Sequence, residues 1–296
     1  MLEHLLTEQV NPASAAIDVV DTEAALRIIN REDAKVAEAV EREIPAIARA
    51  VDAIAAAMER GGRLFYIGAG TGGRLGVLDA AEIPPTFGAP PDLVTGIIAG
   101  GDAAVSCATE ASEDDPAMGE RDLTAHGFTA RDVLVGLAAS GRTPYVLGAI
   151  AEARRLGAVT VGVSCTSDSE LARAADIAIT PLVGPEVIAG STRLKAGTAQ
   201  KLVLHMLSTA VSIRLGYVYG NLMVNVQPTN SKLADRARRI IAAAAEVSQE
   251  RAGELLEASG GQVAMAIVMS RKGCARNEAE RLLAEAGGRV SKALAG

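Results

Sequence analysis

The chain has 296 residues, enough for one large domain and a smaller one. Its formal net charge is −7, and aromatic residues make up only 2% of it. A nucleic-acid surface needs a basic stripe or stacking aromatic rings, so we expect no nucleic-acid partner. Three scattered cysteines without a CxxC pair are typical of reduced thiols and predict a cytoplasmic protein. The absence of a signal peptide or a membrane-length apolar run indicates no membrane partner.

Helical and strand patterns alternate over most of the chain. Apolar residues recur at helical spacing over residues 22–60, and Gly61-Gly62 ends that pattern. A long apolar helix is predicted over residues 192–216. Short apolar runs between the helical patterns predict five buried strands, at residues 63–68, 93–99, 132–138, 158–164 and 176–180. This alternation predicts an α/β fold, a parallel sheet sandwiched between two layers of helices.

The C-terminal part has a different character. From about residue 240 onward there is no strand pattern, and glycines punctuate three short helical stretches. We therefore predict a small three-helix module. The predicted organisation is an N-terminal segment with helices (1–53), the α/β domain (54–217), a linking helix (218–240) and the module (241–296).

A glycine-rich loop follows the first predicted strand and opens a helix. It reads Gly68-Ala-Gly-Thr-Gly-Gly-Arg74. Glycines let the backbone approach a ligand closely, and a helix N-terminus favours an anion. Gly70, Thr71 and Gly72 are the candidate binding residues. The loop also fits a dinucleotide-binding pattern or a purely structural turn, and the motif alone leaves these alternatives open.

A second polar loop, Ala139-Ser-Gly-Arg-Thr-Pro144, follows the third predicted strand and opens another helix. Parallel strands end at one edge of a sheet, so both loops should face one crevice. Ser140, Gly141 and Thr143 are candidate phosphate-binding residues here, although each loop alone also fits an ordinary helix cap. Two such loops favour a phosphomonoester.

Two carboxylates are candidate acid–base groups near this edge. Glu82 is predicted to end the first loop's helix, just before Pro84-Pro85, and Glu113 follows the second strand. A pair of carboxylates can divide general acid and base work, but exposed glutamates are more often solvated helix surface.

The stretch from Gly184 to Lys201 precedes and opens the long helix. Ser191 or Thr192 is predicted to cap it. Lys195 near the helix start opposes the helix dipole, so it is a candidate for binding an anionic group, or else a lysine that reaches solvent. The histidines have no metal-ligand spacing, and we expect no metal site.

These strings resemble the N-acetylmuramic acid 6-phosphate etherase family, whose sugar isomerase domain also occurs in glucokinase regulatory protein. The resemblance is carried by Gly68–Gly76, Asp79–Pro85, Ala139–Tyr145, Gly184–Lys201 and Gly220–Met223.

The resemblance implies a lyase that cleaves the lactyl ether of N-acetylmuramate 6-phosphate to N-acetylglucosamine 6-phosphate and D-lactate, in recycling of cell-wall amino sugars. It implies a homodimer with active sites near the subunit interface and no cofactor. By motif position, the family's two catalytic glutamates fall on Glu82 and Glu113. The implied phosphate-binding set is Gly70, Thr71, Gly72, Ser140, Gly141, Thr143, Ser191 and Lys195.

This chain departs from the family pattern at Gly72, where the family has serine, so one hydroxyl is missing from the loop. The main alternative is a non-catalytic sugar-phosphate-binding regulator, which would need neither glutamate. A sugar-phosphate isomerase is a further alternative, because it uses the same loops and an acid–base pair.

Overall fold

The computed structural model describes residues 6–107, 112–228 and 230–295. Two short 3-10 turns, Leu6–Glu8 and Pro12–Ser14, precede the first helix. The strands are β1 Leu64–Gly68, β2 Val94–Ile98, β3 Val133–Leu137, β4 Val159–Val163, β5 Ile177–Ile179, β6 Val218–Tyr219 and β7 Leu222–Met223. The helices are α1 Thr22–Asp33, α2 Lys35–Glu41, α3 Ile44–Glu59, α4 Gly70–Phe87, α5 Ala103–Ser106, α6 Pro116–Ala125, α7 Pro144–Arg155, α8 Glu170–Ala174, α9 Lys195–Arg214, α10 Ser231–Ala245, α11 Gln249–Ala258, α12 Val263–Lys272, α13 Arg276–Glu285 and α14 Val290–Ala295. Among the described residues, no helix is both long and apolar enough to cross a membrane.

The first five strands form one parallel sheet in the order β2-β1-β3-β4-β5, which confirms the predicted α/β class. Strand β1 lies beside β3, and Gly68 pairs with Leu137 at their carboxyl ends. The loops that follow these two strands therefore leave the sheet side by side. This adjacency places both predicted phosphate loops at one edge, as expected.

Helices pack on both faces of this sheet. Alternate β1 residues, Phe65 and Ile67, point into a core shared with α6 and α7. Tyr66 points to the opposite face, where Gly76 of α4 lies so close that an added Cβ atom would be 2.9 Å from the Tyr66 Cβ atom. The absence of a side chain at Gly76 therefore lets α4 pack directly against the sheet.

The helical pattern over residues 22–60 is divided into α1, α2 and α3 rather than one continuous helix. Pro45 explains the second break. Proline has no amide hydrogen and clashes with the preceding turn, so it is tolerated in the first turn of a helix and not in its interior. Pro45 accordingly lies in the first turn of α3.

Helix α4 does not end at Glu82 as predicted but continues through Pro84-Pro85 and stops at Phe87. Both prolines lie inside the helix, where each removes an amide donor from the helical hydrogen-bond ladder, and the helix ends two residues after Pro85. The turn ends at Gly88, whose amide donates to the carbonyl of Pro84 at 2.8 Å.

The described residues divide into two compact units, Met1–Ala81 with Asp92–Ser208, and Glu82–Pro91 with Thr209–Gly296. The first contains the parallel sheet. The second contains the β6–β7 hairpin and α10 to α14, whose apolar side chains share one core. The predicted linking helix at 218–240 is wrong in its first part, where residues 218–223 form the β6–β7 hairpin; the helix itself is α10, which contributes Ala237, Ile240 and Ile241 to that core. Four helices follow α10 rather than three, because Gly287 and Gly288, both with positive φ, separate α13 from α14.

Candidate active site

A cavity of about 330 Å³ lies at the carboxyl ends of β1 and β3. It is bounded by the turn into α4, the loop before α7, the loop before α9 and the N-terminal turn. The lining residues are Glu8, Ala69, Gly70, Thr71, Gly72, Arg74, Glu113, Leu137, Ala138, Ala139, Ser140, Thr143, Gly190, Thr192 and Gln200. The cavity therefore brings together Gly70, Thr71, Gly72, Glu113, Ser140 and Thr143 from the predicted set.

The start of α4 forms one wall of the cavity. Gly70 has a φ of +52°, a conformation that glycine adopts without steric cost. Gly73 lies against β1, and an added Cβ atom there would be 2.6 Å from the carbonyl oxygen of Gly68. These glycines let the helix begin directly after the strand. The amides of its first turn have no partners within the helix, so they and the helix dipole favour an anion here.

Glu113 is positioned by the first turn of α7. Its backbone carbonyl accepts a hydrogen bond from the amide of Tyr145 at 3.1 Å. Its side chain reaches the start of α4, where its Oε1 atom lies 3.1 Å from the place that a Cβ atom would occupy on Gly70. The carboxylate thus lies between the two loops, next to the expected anion site.

Gly141 lies beside the cavity but does not line it. It has a φ of +67°, and a Cβ atom there would lie 2.3 Å from the side chain of Ser169. Its carbonyl accepts from the amide of Leu171 at 2.9 Å. The structure therefore uses this glycine to pack the β3 loop against α8.

Lys195 also lies outside the cavity lining. Its side chain is 1% exposed, and its Nζ atom lies 2.8 Å from Oε2 of Glu32, a side chain that is 5% exposed. Burial raises the pKa of Glu32, but hydrogen bonds from Lys195, Lys35 and Asn11 outweigh it and lower that pKa from 4.5 to about 2. The pair is therefore ionised and ties α1 to the start of α9.

The N-terminus of α9 is capped by Glu186. Its carboxylate accepts hydrogen bonds from the amides of Lys195 and Ala196, both at 2.9 Å. The hydroxyls expected in this role were those of Ser191 and Thr192. Ser191 is half-buried and outside the cavity lining, whereas Thr192 lines the cavity. A glutamate nine residues before the helix gives no local capping signal.

Glu82 does not line the cavity. It is an exposed residue more than three turns along α4 from Gly70, and it belongs to the second compact unit. The two predicted catalytic carboxylates thus occupy different environments within one chain.

Four polar residues of the cavity wall are absent from the predicted set: Glu8, Arg74, Thr192 and Gln200. Arg74 turns toward the C-terminal end of α5, where its guanidinium donates to the carbonyls of Val105 and Cys107. Glu8 lies in an N-terminal turn with no periodic pattern. Gln200 lies within the Gly184–Lys201 string, so the string contained a signal for this part of the wall.

Cys165, whose amide donates to the carbonyl of Ala139 in the cavity wall, is an unreactive thiol. Burial, followed by the charge of Glu186, raises its pKa to about 12. It is 1% exposed and therefore remains a protonated packing residue at neutral pH.

Two family models match the part of the chain that forms this site. The glucokinase regulatory protein N-terminal SIS domain matches residues 46–154, and the SIS domain matches residues 116–210. Among solved structures, a phosphoheptose isomerase from Neisseria gonorrhoeae is similar with a TM-score of 0.52 at 16% identity, covering 65% of this chain and all of that one. The fold and the loop site together define a SIS-domain protein.

Relatives that align over nearly the full length of the chain identify the family within the SIS-domain proteins. An N-acetylmuramic acid 6-phosphate etherase from Edwardsiella ictaluri is 54% identical over 293 residues, covering 99% of this chain and 98% of that one. One from Clostridium acetobutylicum is 53% identical, covering 99% and 97%. The chain belongs to the N-acetylmuramic acid 6-phosphate etherase family. This finding confirms the predicted family and the prediction of an enzyme.

Proposed function

We propose that this chain cleaves the D-lactyl ether of N-acetylmuramate 6-phosphate, with water, to N-acetylglucosamine 6-phosphate and D-lactate. The observation that carries the proposal is identity above 50% over the full length to proteins named for this activity. The cavity supports it, because helix-start amides and two hydroxyl-bearing loops suit a phosphomonoester. We propose that the reaction serves the recycling of cell-wall amino sugars, because it converts one amino-sugar phosphate into another.

The reaction proposed is elimination followed by rehydration. In the open-chain sugar, C2 is acidic because it adjoins the aldehyde. A base removes the C2 proton, an acid protonates the ether oxygen at C3, and the C3–oxygen bond breaks as the C2–C3 double bond forms. Water then adds to C3 and a proton returns to C2, so no oxidant or reductant is needed.

We assign Glu113 as the C2 base, since its carboxylate lines the cavity beside the start of α4. We assign Glu82 as the acid for the departing lactate and the base for the incoming water. Its motif position supports this role. Among the described residues of the cavity wall, Glu8 is the carboxylate besides Glu113, and it is the alternative partner that an experiment must separate from Glu82.

The proposal includes a homodimer with its active sites near the subunit interface, in which Glu82 of one protomer acts in the cavity of its partner. Mixing Glu82→Gln and Glu113→Gln subunits tests this. If each site takes one glutamate from each chain, random mixing restores intact sites to about a quarter of the total. If each chain supplies both glutamates, the mixture stays inactive. The proposed location is cytoplasmic, in keeping with the free thiols of Cys107, Cys165 and Cys274.

The test of the activity is incubation of the purified chain with N-acetylmuramate 6-phosphate and assay of D-lactate. In heavy water, deuterium should appear at C2 of the product. With oxygen-labelled water, the label should appear at C3 of the sugar. Label in the lactate would overturn the elimination route, and binding without lactate release would favour the regulatory alternative.

A further inference from the structure

Gln200 is the one polar side chain in the described wall of the cavity that is buried. It is 1% exposed, whereas the hydroxyl, carboxylate and guanidinium residues of the wall are half-buried or exposed. Its Nε2 atom has no hydrogen-bond partner among the described residues. A buried amide nitrogen without an acceptor is costly, and most such groups in folded proteins are paired.

Packing between α9 and the first turn of α4 holds this amide in place. Gly197 and Gln200 are three residues apart and share one face of α9. A Cβ atom on Gly197 would lie 3.2 Å from Cγ2 of Thr71, and a Cβ atom on Gly72 would lie 3.4 Å from Oε1 of Gln200. The amide is therefore fixed against the turn whose backbone amides favour an anion.

The missing partner of Nε2 must be an acceptor, because an amide nitrogen only donates. A phosphate group offers acceptor oxygens alone, and the start of α4 beside Gln200 favours its charge. We propose that Gln200 is a substrate-binding residue, which donates from Nε2 to a phosphate oxygen of the sugar phosphate bound at the start of α4. This inference rests on the proposed function in its choice of a sugar phosphate.

The role predicts an effect on binding rather than on the chemical step. The phosphate is remote from C2 and C3, so its contacts are similar in the ground state and the transition state. Removing the donor should raise KM and leave kcat nearly unchanged. If Gln200 only packs α9 on α4, its replacement should instead lower the stability of the fold without raising KM relative to an unchanged kcat.

The experiment uses the full chain and two variants. Gln200→Met keeps the length of the side chain and removes the donor; Gln200→Glu keeps the shape and adds a repelling charge. We expect about a tenfold rise in KM for Gln200→Met and a larger rise for Gln200→Glu, with kcat within about twofold. Calorimetric titration with inorganic phosphate should show the same losses of affinity. Gln262→Met is the matched control, because Gln262 is exposed, makes no side-chain cap and lies outside the cavity lining.

Folded variants with unchanged KM and unchanged phosphate affinity would overturn the proposal. A fall in kcat at constant KM would also overturn it. In the wild-type chain, the side-chain amide resonances of Gln200 should shift when phosphate is added, and this measurement needs no variant to fold. The phosphate titrations judge Gln200 even if the chain fails to release lactate, so the two proposals can fail separately.

Discussion

Replacing Lys195 by methionine tests whether this lysine binds the ligand, as its motif position implies, or stabilises the fold. In the structure its ammonium is buried against Glu32 at 2.8 Å. Methionine fills a similar volume and leaves Glu32 buried with only the bonds from Lys35 and Asn11. A buried carboxylate that loses its buried counter-charge and keeps only an exposed lysine and one amide as partners is less well compensated, which is destabilising.

The magnitude follows from the pKa of Glu32. A fall from 4.5 to about 2, at about 1.4 kcal/mol for each tenfold change in proton affinity, corresponds to about 3 kcal/mol. This agrees with the ~3–5 kcal/mol that broken buried pairs cost. Lys195, Lys35 and Asn11 share this stabilisation and two of them remain in the variant, so we expect Lys195→Met to lower the free energy of unfolding by at most about 3 kcal/mol at pH 7, and Tm by at most roughly 6–12 °C.

The sign of the pH dependence is also determined. A folded-state pKa below the unfolded value stabilises the fold at pH values above about 4.5, and this stability is lost as pH falls toward 2. The difference in unfolding free energy between the wild type and Lys195→Met should therefore shrink over that range. Urea unfolding at pH 7, 4 and 3 measures it, with Lys201→Met, an exposed lysine on the same helix, as the control. Wild-type stability with a tenfold higher KM would refute the reasoning and make Lys195 a ligand-binding residue.

Six further variants, two of them controls, test the site itself. Glu113→Gln and Glu82→Gln should each lower kcat by about a hundredfold or more, as loss of a general acid or base usually does, while Glu8→Gln should stay near the wild-type rate. A hundredfold loss in Glu8→Gln together with an active Glu82→Gln would mean that Glu8, and not Glu82, is the partner of Glu113. Gly70→Ala should lower Tm, because its φ is +52°, and should lower kcat as well, because the new Cβ atom would lie 3.1 Å from the Glu113 carboxylate. Gly61→Ala is the control for backbone strain: its φ is +81°, nothing lies within 4 Å of the new Cβ atom, and kcat should be unchanged. Gly72→Ser should lower KM several-fold at constant kcat, because it adds a hydroxyl donor for the phosphate. It should also cost about 1 kcal/mol of stability, because its Cβ atom would lie 3.2 Å from the carbonyl oxygen of Leu137. Kinetics and thermal unfolding check both effects, and a raised KM would mean that position 72 does not face the phosphate.

Much of the fold was predictable from local patterns in the sequence. The five strands of the parallel sheet fall within the predicted apolar runs, because short apolar segments between helices must be buried. The loops after β1 and β3 were located by their glycines and hydroxyls. Their common edge followed from parallel strands, and six predicted residues do line one cavity there.

Tertiary structure decided the roles that depend on distant partners. Lys195 looked like an anion-binding residue near a helix start, but Glu32, 163 positions away in the chain, turns it into half of a buried ion pair. Gln200 lies within the Gly184–Lys201 string, but its local sequence does not separate it from the other polar residues of that string, and only the packing of α9 on α4 brings its amide into the cavity wall. A local pattern encodes which residues can form a helix or a strand. The partner of a charged or amide group is set by burial and by contacts between segments far apart in sequence, and these exist only once the chain has folded.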